Sequence, residues 1–494
     1  DTTDLSDTCA QIALPAILIR LLDAVIRRGE LSKNEHSQLC QLRSTLCERF
    51  VLSFKALDES DPLQTKYCLF FSLALSMLAR DYRTGVAGTR DLIKCAGYAQ
   101  QCINGEKKLN IPKADGYLQV ALCLNARMED MLNVTDTKMN GTLPFSSQLA
   151  DAVREAVRDY HEGSMYKRDE AVRTFRRNLF PRWKPGLGNV LACCDIFQII
   201  LGAAYEKYVS AANQNNQNYQ EIARLGYVSK AYLVLAAIGT SGGALNLLAQ
   251  MLINQANQYE ADQRISFFRR HPDIDTFVQQ HAAPYGWPLN DNYALAYRVL
   301  QSVCGIQRGS QPYSHMKKAE LVLKGYVSES SSTQLTSLNI AINGGLAMGH
   351  YWKGRLLLEQ AKQDHDRCND YKDAAIASFC ATNVTERFDH LPENADEDAA
   401  PQLSPPQWLS AIELLRYPDR AVFRVDRRMV FQTIYQKLTQ QVEEVQSDNI
   451  QIHNERYRLT KKDVRSNLER CLDMVKAQFP DKEPLIQKMI RSIR

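Results

Sequence analysis

Between Ser337 and Asn383 an apolar segment runs into two adjacent glycines, Gly344 and Gly345, and a second apolar segment begins at once with Leu346. A polar loop follows, and a third helix-like segment starts near Asp370. Two helices joined by so short a turn must pack on each other, and small residues along them let the backbones come close. The end of the first segment, SLNIA at 337–341, recurs as ASFCA at 377–381, a register of 40 residues. A helix pair of this kind cannot bury both faces alone and has to stack on neighbours. The stretch predicts one unit of a stacked helical array rather than an isolated site.

Helical periodicity dominates the rest of the chain as well. DPLQTKYCLFFSLALSMLARDY (61–82) is nearly continuous in apolar residues, with Asp61 and Pro62 as its start signal. In the segment after it, Thr89 is the expected N-cap. A further helix around 147–162 carries Ala152, Ala156 and Tyr160 at i, i+4 spacing. The pattern breaks near 180–188, where two prolines, two glycines and a tryptophan cluster, and again at HAAPYGWPLNDN (281–292). PENADEDAAPQLSPPQ (392–407) is acidic and proline-bearing and reads as an exposed linker. These breaks suggest an N-terminal helical region with degenerate repeats over 1–180 and a helical-repeat region over 188–390. An acidic, proline-containing linker over 391–407 and a C-terminal helical segment over 408–494 follow.

Composition narrows the class. Apolar residues make up 45% of the 494 and charged residues 23%, which suits a folded soluble protein. Sixty basic side chains against 56 acidic ones give a net charge of +4, too balanced to indicate nucleic acid, which asks for a clustered basic face. An all-β chain of this length would need more turn signals than 17 prolines and 23 glycines supply. The thirteen cysteines are odd in number, and Cys68, Cys95, Cys102, Cys123, Cys304 and Cys380 sit in apolar helical patterns. They are expected reduced and buried, in a cytoplasmic protein. CAQIALPAILIRLLDAVIRRGE (9–30) is the most apolar run near either end. Arg20 and Asp23 interrupt it, so it reads as an amphipathic helix and not as a signal peptide or a membrane span.

The 337–383 stretch resembles the Sel-one-like branch of the tetratricopeptide family. That pattern is an alanine-ended helix, a glycine turn, a helix with small-x-x-aromatic-x-x-Gly spacing, a variable loop and then Asp-Tyr-x-x-Ala. Gly345 matches the turn; Ala347, Tyr351 and Gly354 match the small, aromatic and glycine positions. Asp370, Tyr371, Ala374 and Ala375 match the second helix. The resemblance covers one repeat well, and other segments share only its shape. It implies an all-α, superhelical array of antiparallel helix pairs with extra C-terminal helices. It also implies a protein that grips a partner segment in a concave groove. The appended helices look similar to bacterial effectors delivered into host cytosol.

Residues that could carry chemistry have a plain packing reading beside each functional one. His350 lies between Gly349 and Tyr351 on a packing helix. QDHDRCND (363–370) offers Asp364, His365, Asp366, Cys368 and Asp370, but in the variable loop of the repeat, where such residues are usually solvated. GTSGGALNLL (239–248) looks like a phosphate-cradling turn, yet no Gly-Lys-Ser/Thr follows, so a turn between two helices is expected. Arg269, Arg270, His271 and His281, near proline-bearing turns and Trp287, make the best polar cluster outside the repeat and could grip an acidic peptide or phosphate, against the plainer reading of a solvated loop.

The expectation is therefore a non-catalytic scaffold or adaptor that binds another protein or peptide. Arg269, Arg270, His271, Trp287, His350 and Tyr351 are its candidate contact residues. No cofactor, metal, nucleic acid or membrane span is expected. The alternative is an α-helical enzyme with a site between the two halves, around 267–291 or 350–370; it would show an enclosed pocket of converging polar groups.

Overall fold

The structure is a computed structural model that describes residues 2–28, 33–86, 88–109, 114–133, 143, 145–162, 188–239, 241–261, 292–306, 312–389, 401, 403–417, 422–446 and 461–493. Among them every regular element is helical. The chain is all-α, and consecutive helices pack pairwise. No single described helix is long and apolar enough to cross a membrane.

Two compact units account for the described residues: the first takes those up to 248 together with 305–306, and the second takes the others from 249 onward. The first begins with α1 (Thr2–Arg28), α2 (Lys33–Lys55), α3 (Pro62–Thr84), α4 (Leu92–Lys108) and α5 (Asp115–Asn133). Each of these packs on the next. It continues with α6 (Ser147–Glu162), α7 (Gly188–Ala212) and α8 (Gln217–Ile238), the last packed on α5, α6 and α7. Helix α9 (Gly242–Ala261) follows a turn at Ser241. As expected of 239–248, that turn links two helices: a Cβ at Gly243 would sit 2.6 Å from Leu118 Cδ2 on α5, and that leucine methyl would have to move to admit it.

Local signals set the helix ends. Asp61 accepts the Leu63 N–H at 2.8 Å and Pro62 opens α3, while Gly85 closes it in the left-handed conformation with φ 72°. For α4 the cap is Asp91 and not Thr89. The Asp91 carboxylate accepts from both the Ile93 and Lys94 N–H groups, and a carboxylate facing exposed helix donors outcompetes a hydroxyl two residues upstream. In α6 the buried face is Ala150, Val153 and Val157. Ala152 is exposed and Ala156 half-buried, because the larger valines gain more from burial.

The second unit holds α10 (Asn292–Ile306), α11 (Pro312–Leu323), α12 (Ser331–Asn343), α13 (Ala347–Gln363), α14 (Cys368–Cys380) and α15 (Val384–Asp389). Helices α16 (Pro405–Leu415), α17 (Arg427–Gln446), α18 (Lys461–Gln478) and α19 (Glu483–Ser492) complete it. The turn between α12 and α13 is the one read from the glycine pair. Gly345 takes φ 82°, a conformation that strains any other residue, and the Leu346 N–H reaches back to the Ala341 carbonyl at 3.1 Å. Helix α16 begins inside the stretch expected as a linker: Leu403 is buried, and Ser404 and Gln407 cap Pro405–Leu415. One hydrophobic core runs from Met316 on α11 through Phe379 on α14 and Trp408 on α16 to Cys471 on α18. The C-terminal helices thus share their core with α11–α14.

Gly354 lies where α13 and α14 come close. A Cβ there would meet Phe379 Cε1 at 2.5 Å, and the Phe379 ring is fully buried. Gly354→Leu is expected to overpack the α13–α14 pair by roughly 1–3 kcal/mol. His350→Gln should change stability by less than the Gly354 substitution, because the ring is only half-buried and glutamine keeps a polar side chain of similar reach. Thermal melts of the two variants check the order; a His350→Gln defect as large as that of Gly354→Leu would contradict it.

Candidate functional site

Helix α16 is apolar almost throughout, WLSAIELL, with Glu413 as its one ionised side chain. Glu413 is 1% exposed. A carboxylate at that depth needs cations, and three arginines supply them. Arg470 on α18 bonds Glu413 Oε1 at 2.7 Å, Arg416 just past the end of α16 reaches Oε2 at 3.3 Å, and Arg355 on α13 stands 3.6 Å from Oε1. Tyr351, one turn before Arg355 on α13, is also fully buried, and its hydroxyl accepts from Arg470 at 2.8 Å and from Arg355 at 3.3 Å. Burial raises the Tyr351 pKa, so the hydroxyl stays neutral. Burial works against the Arg355 charge, but Tyr351 and Glu413 more than offset it and raise its pKa.

The frame around the cluster is fixed. Arg470 also donates to Asn467 on its own helix. The Leu415 carbonyl at the end of α16, which has no helical partner, accepts from Arg427 at 2.6 Å and from Gln478. Lys324 ties α11 to the start of α18: it lies 2.6 Å from Asp463 and 2.9 Å from Glu320, and Lys317 also pairs with Glu320 at 3.0 Å. Those charges, chiefly Glu320 and Asp463, hold the Lys324 pKa above its usual value against burial.

Arg470 is committed to this frame through all three of its nitrogens. Arg355 and Arg416 are not. Their side chains are 23% and 38% exposed, and among the described residues each makes one hydrogen bond, through Nη1. Three guanidiniums face the one buried carboxylate, with Glu359 a turn further along α13 as the second carboxylate acting on Arg355, and this leaves an excess of positive charge with open N–H donors at the surface. Such an edge suits a carboxylate or a phosphate, each of which a guanidinium can meet with two parallel hydrogen bonds.

Of the residues singled out in the sequence, Tyr351 is at the centre of this cluster. His350 is the residue before Tyr351 on α13: its backbone carbonyl accepts from Ser378 at 2.9 Å, and burial, then Lys353, lower its pKa, keeping the ring neutral. Arg269, Arg270, His271 and Trp287 lie outside the described residues. In the 363–370 loop, Asp364 accepts the Arg367 N–H at 3.2 Å and His365 and Asp366 are exposed. Among the described residues no group of three or more His, Cys, Asp or Glu side chains is placed to hold a metal. Glu413, Arg416 and Arg470 were not singled out from the sequence; a lone carboxylate inside an apolar helix was the available signal. Compared with protein-family models, with curated proteins and with solved structures, the chain gives no match.

Proposed function

We propose that the chain is a non-catalytic protein–protein interaction scaffold, a helical-repeat protein of the tetratricopeptide kind. On this reading its C-terminal unit holds an acidic segment of another protein or peptide at the Arg355–Arg416 edge. The charge imbalance of the cluster supports the reading. Glu413 and Tyr351 engage Arg470 fully, which leaves the two outer guanidiniums positioned but not saturated. A preformed pair of this kind binds an anion without first having to be ordered.

Fluorescence polarisation of a labelled hexaglutamate peptide, titrated with the full chain at low salt, tests this. Saturable binding that weakens as salt rises is expected. Arg355→Gln with Arg416→Gln should reduce the affinity at least tenfold, since each charge-assisted hydrogen bond contributes about 1.5–3 kcal/mol. The melting temperature should stay within a few degrees, because both side chains are partly exposed. Equal binding by the parent and the double variant would remove the proposal.

A further inference from the structure

Helix α1 is apolar on two sides. Ile12, Ala16 and Ile19 face the core of the first unit. On the opposite side Leu14, Ile17, Leu18, Leu21 and Val25 are 57%, 56%, 38%, 58% and 42% exposed, and Ala10 is exposed as well. Isolated exposed apolar side chains need no explanation, but a continuous stripe over four turns of one helix does.

The stripe reads the same from either end. About the midpoint between residues 17 and 18, Ala10 mirrors Val25, Leu14 mirrors Leu21, and Ile17 mirrors Leu18. A two-fold axis through that midpoint, perpendicular to the helix, lays a second α1 antiparallel on the first and sets every stripe residue against its mate. The alternating steps of four and three are those of a helix–helix seam. Antiparallel alignment also sets the two helix dipoles head to tail. Arg20 does not interrupt the seam, since its guanidinium lies over the Phe70 ring at 5.5 Å.

We infer that the outer face of α1 is the seam of a homodimer, occupied by α1 of a second copy in antiparallel register. Six part-exposed side chains fall short of the ~800 Å² per partner of a standard stable interface, so the association should be weak, with a Kd on the order of 10 µM.

Sedimentation velocity on the full chain, from about 1 to 100 µM, reads the equilibrium directly. A concentration-dependent dimer is expected. Ile17→Glu, or Leu21→Lys as an independent second variant, should weaken it at least tenfold while circular dichroism and the melting temperature stay at the parent's values, because both side chains are solvent-exposed in the single chain. In the antiparallel register position 14 of one copy meets position 21 of the other, so Leu14→Cys chains mixed with Leu21→Cys chains should form the heterodimeric disulfide in preference to either homodimeric one. A parent that stays monomeric at 100 µM overturns the inference, and so does a dimer that ignores Ile17→Glu. Recovery of monomeric parent with floated phosphatidylcholine–phosphatidylserine vesicles would assign the stripe to a membrane surface instead. A disulfide formed preferentially between two Leu14→Cys chains would overturn the register.

Discussion

Arg43→Met is expected to destabilise the first unit by about 3–5 kcal/mol, the cost of leaving buried charge without its partner. Arg43 is 2% exposed and bridges two helices beside its own: Nη1 bonds Asp23 on α1 at 2.8 Å, and Nη2 bonds both oxygens of Asp81 on α3, at 2.6 and 2.7 Å. Asp23 and Asp81 are 3% and 1% exposed. Arg80, which is 39% exposed, also reaches them, at 3.6 and 3.3 Å, and stays in place when Arg43 is replaced. Ser44 also donates to Asp81, at 2.8 Å, but a hydroxyl does not neutralise a carboxylate. A triple change, Arg43→Met with Asp23→Leu and Asp81→Leu, should recover most of the loss, because an apolar replacement of similar volume has no desolvation penalty to offset. Urea unfolding followed by circular dichroism separates the cases. A single variant within 1 kcal/mol of the parent would show that water reaches the two aspartates.

The same triad shows how far the sequence can be read. Cys40, Arg43, Cys47, Phe50 and Phe54 follow one another at the three- and four-residue steps of a single buried face of α2. Asp23 continues Ile12, Ala16 and Ile19 on α1, and Asp81 continues Ala74 and Leu78 on α3. A charge at a core position requires an opposite charge at a core position of a neighbour, so helical periodicity held a signal of this network; Asp23, expected as a polar interruption of an amphipathic helix, is instead buried on the core face of α1. Its pairing was not legible, because nothing local says which helices will be neighbours. The glycine-pair turn and the Phe379 contact at Gly354 were legible for a stronger reason: φ above zero and close helix approach both demand glycine. The Arg355–Glu413–Arg470 cluster was hidden, because its members are 58 and 57 residues apart in the chain (413 − 355 and 470 − 413) and converge only when α16 and α18 pack.

Glu413→Gln carries the second large effect, and it has opposite signs on stability and on binding. The carboxylate now neutralises part of a three-arginine cluster whose side chains are 17%, 23% and 38% exposed. Glutamine keeps the shape and one acceptor but leaves the guanidiniums to repel one another. A loss of about 2–4 kcal/mol is expected, toward the lower end for a partly solvated cluster. At the same time the group that competes with an incoming anion disappears, so hexaglutamate should bind the variant several-fold more tightly than the parent. Linkage joins the two effects. An anion that binds only the folded state stabilises it by RT ln(1 + [L]/Kd), so 100 mM sulfate should raise the melting temperature of Glu413→Gln more than that of the parent. A charge reversal at the rim, Arg416→Glu, should abolish the difference, because it restores a carboxylate to the cluster. If Glu413→Gln loses stability and gains neither anion affinity nor sulfate protection, the three arginines serve only to neutralise Glu413 and hold α13, α16 and α18 together.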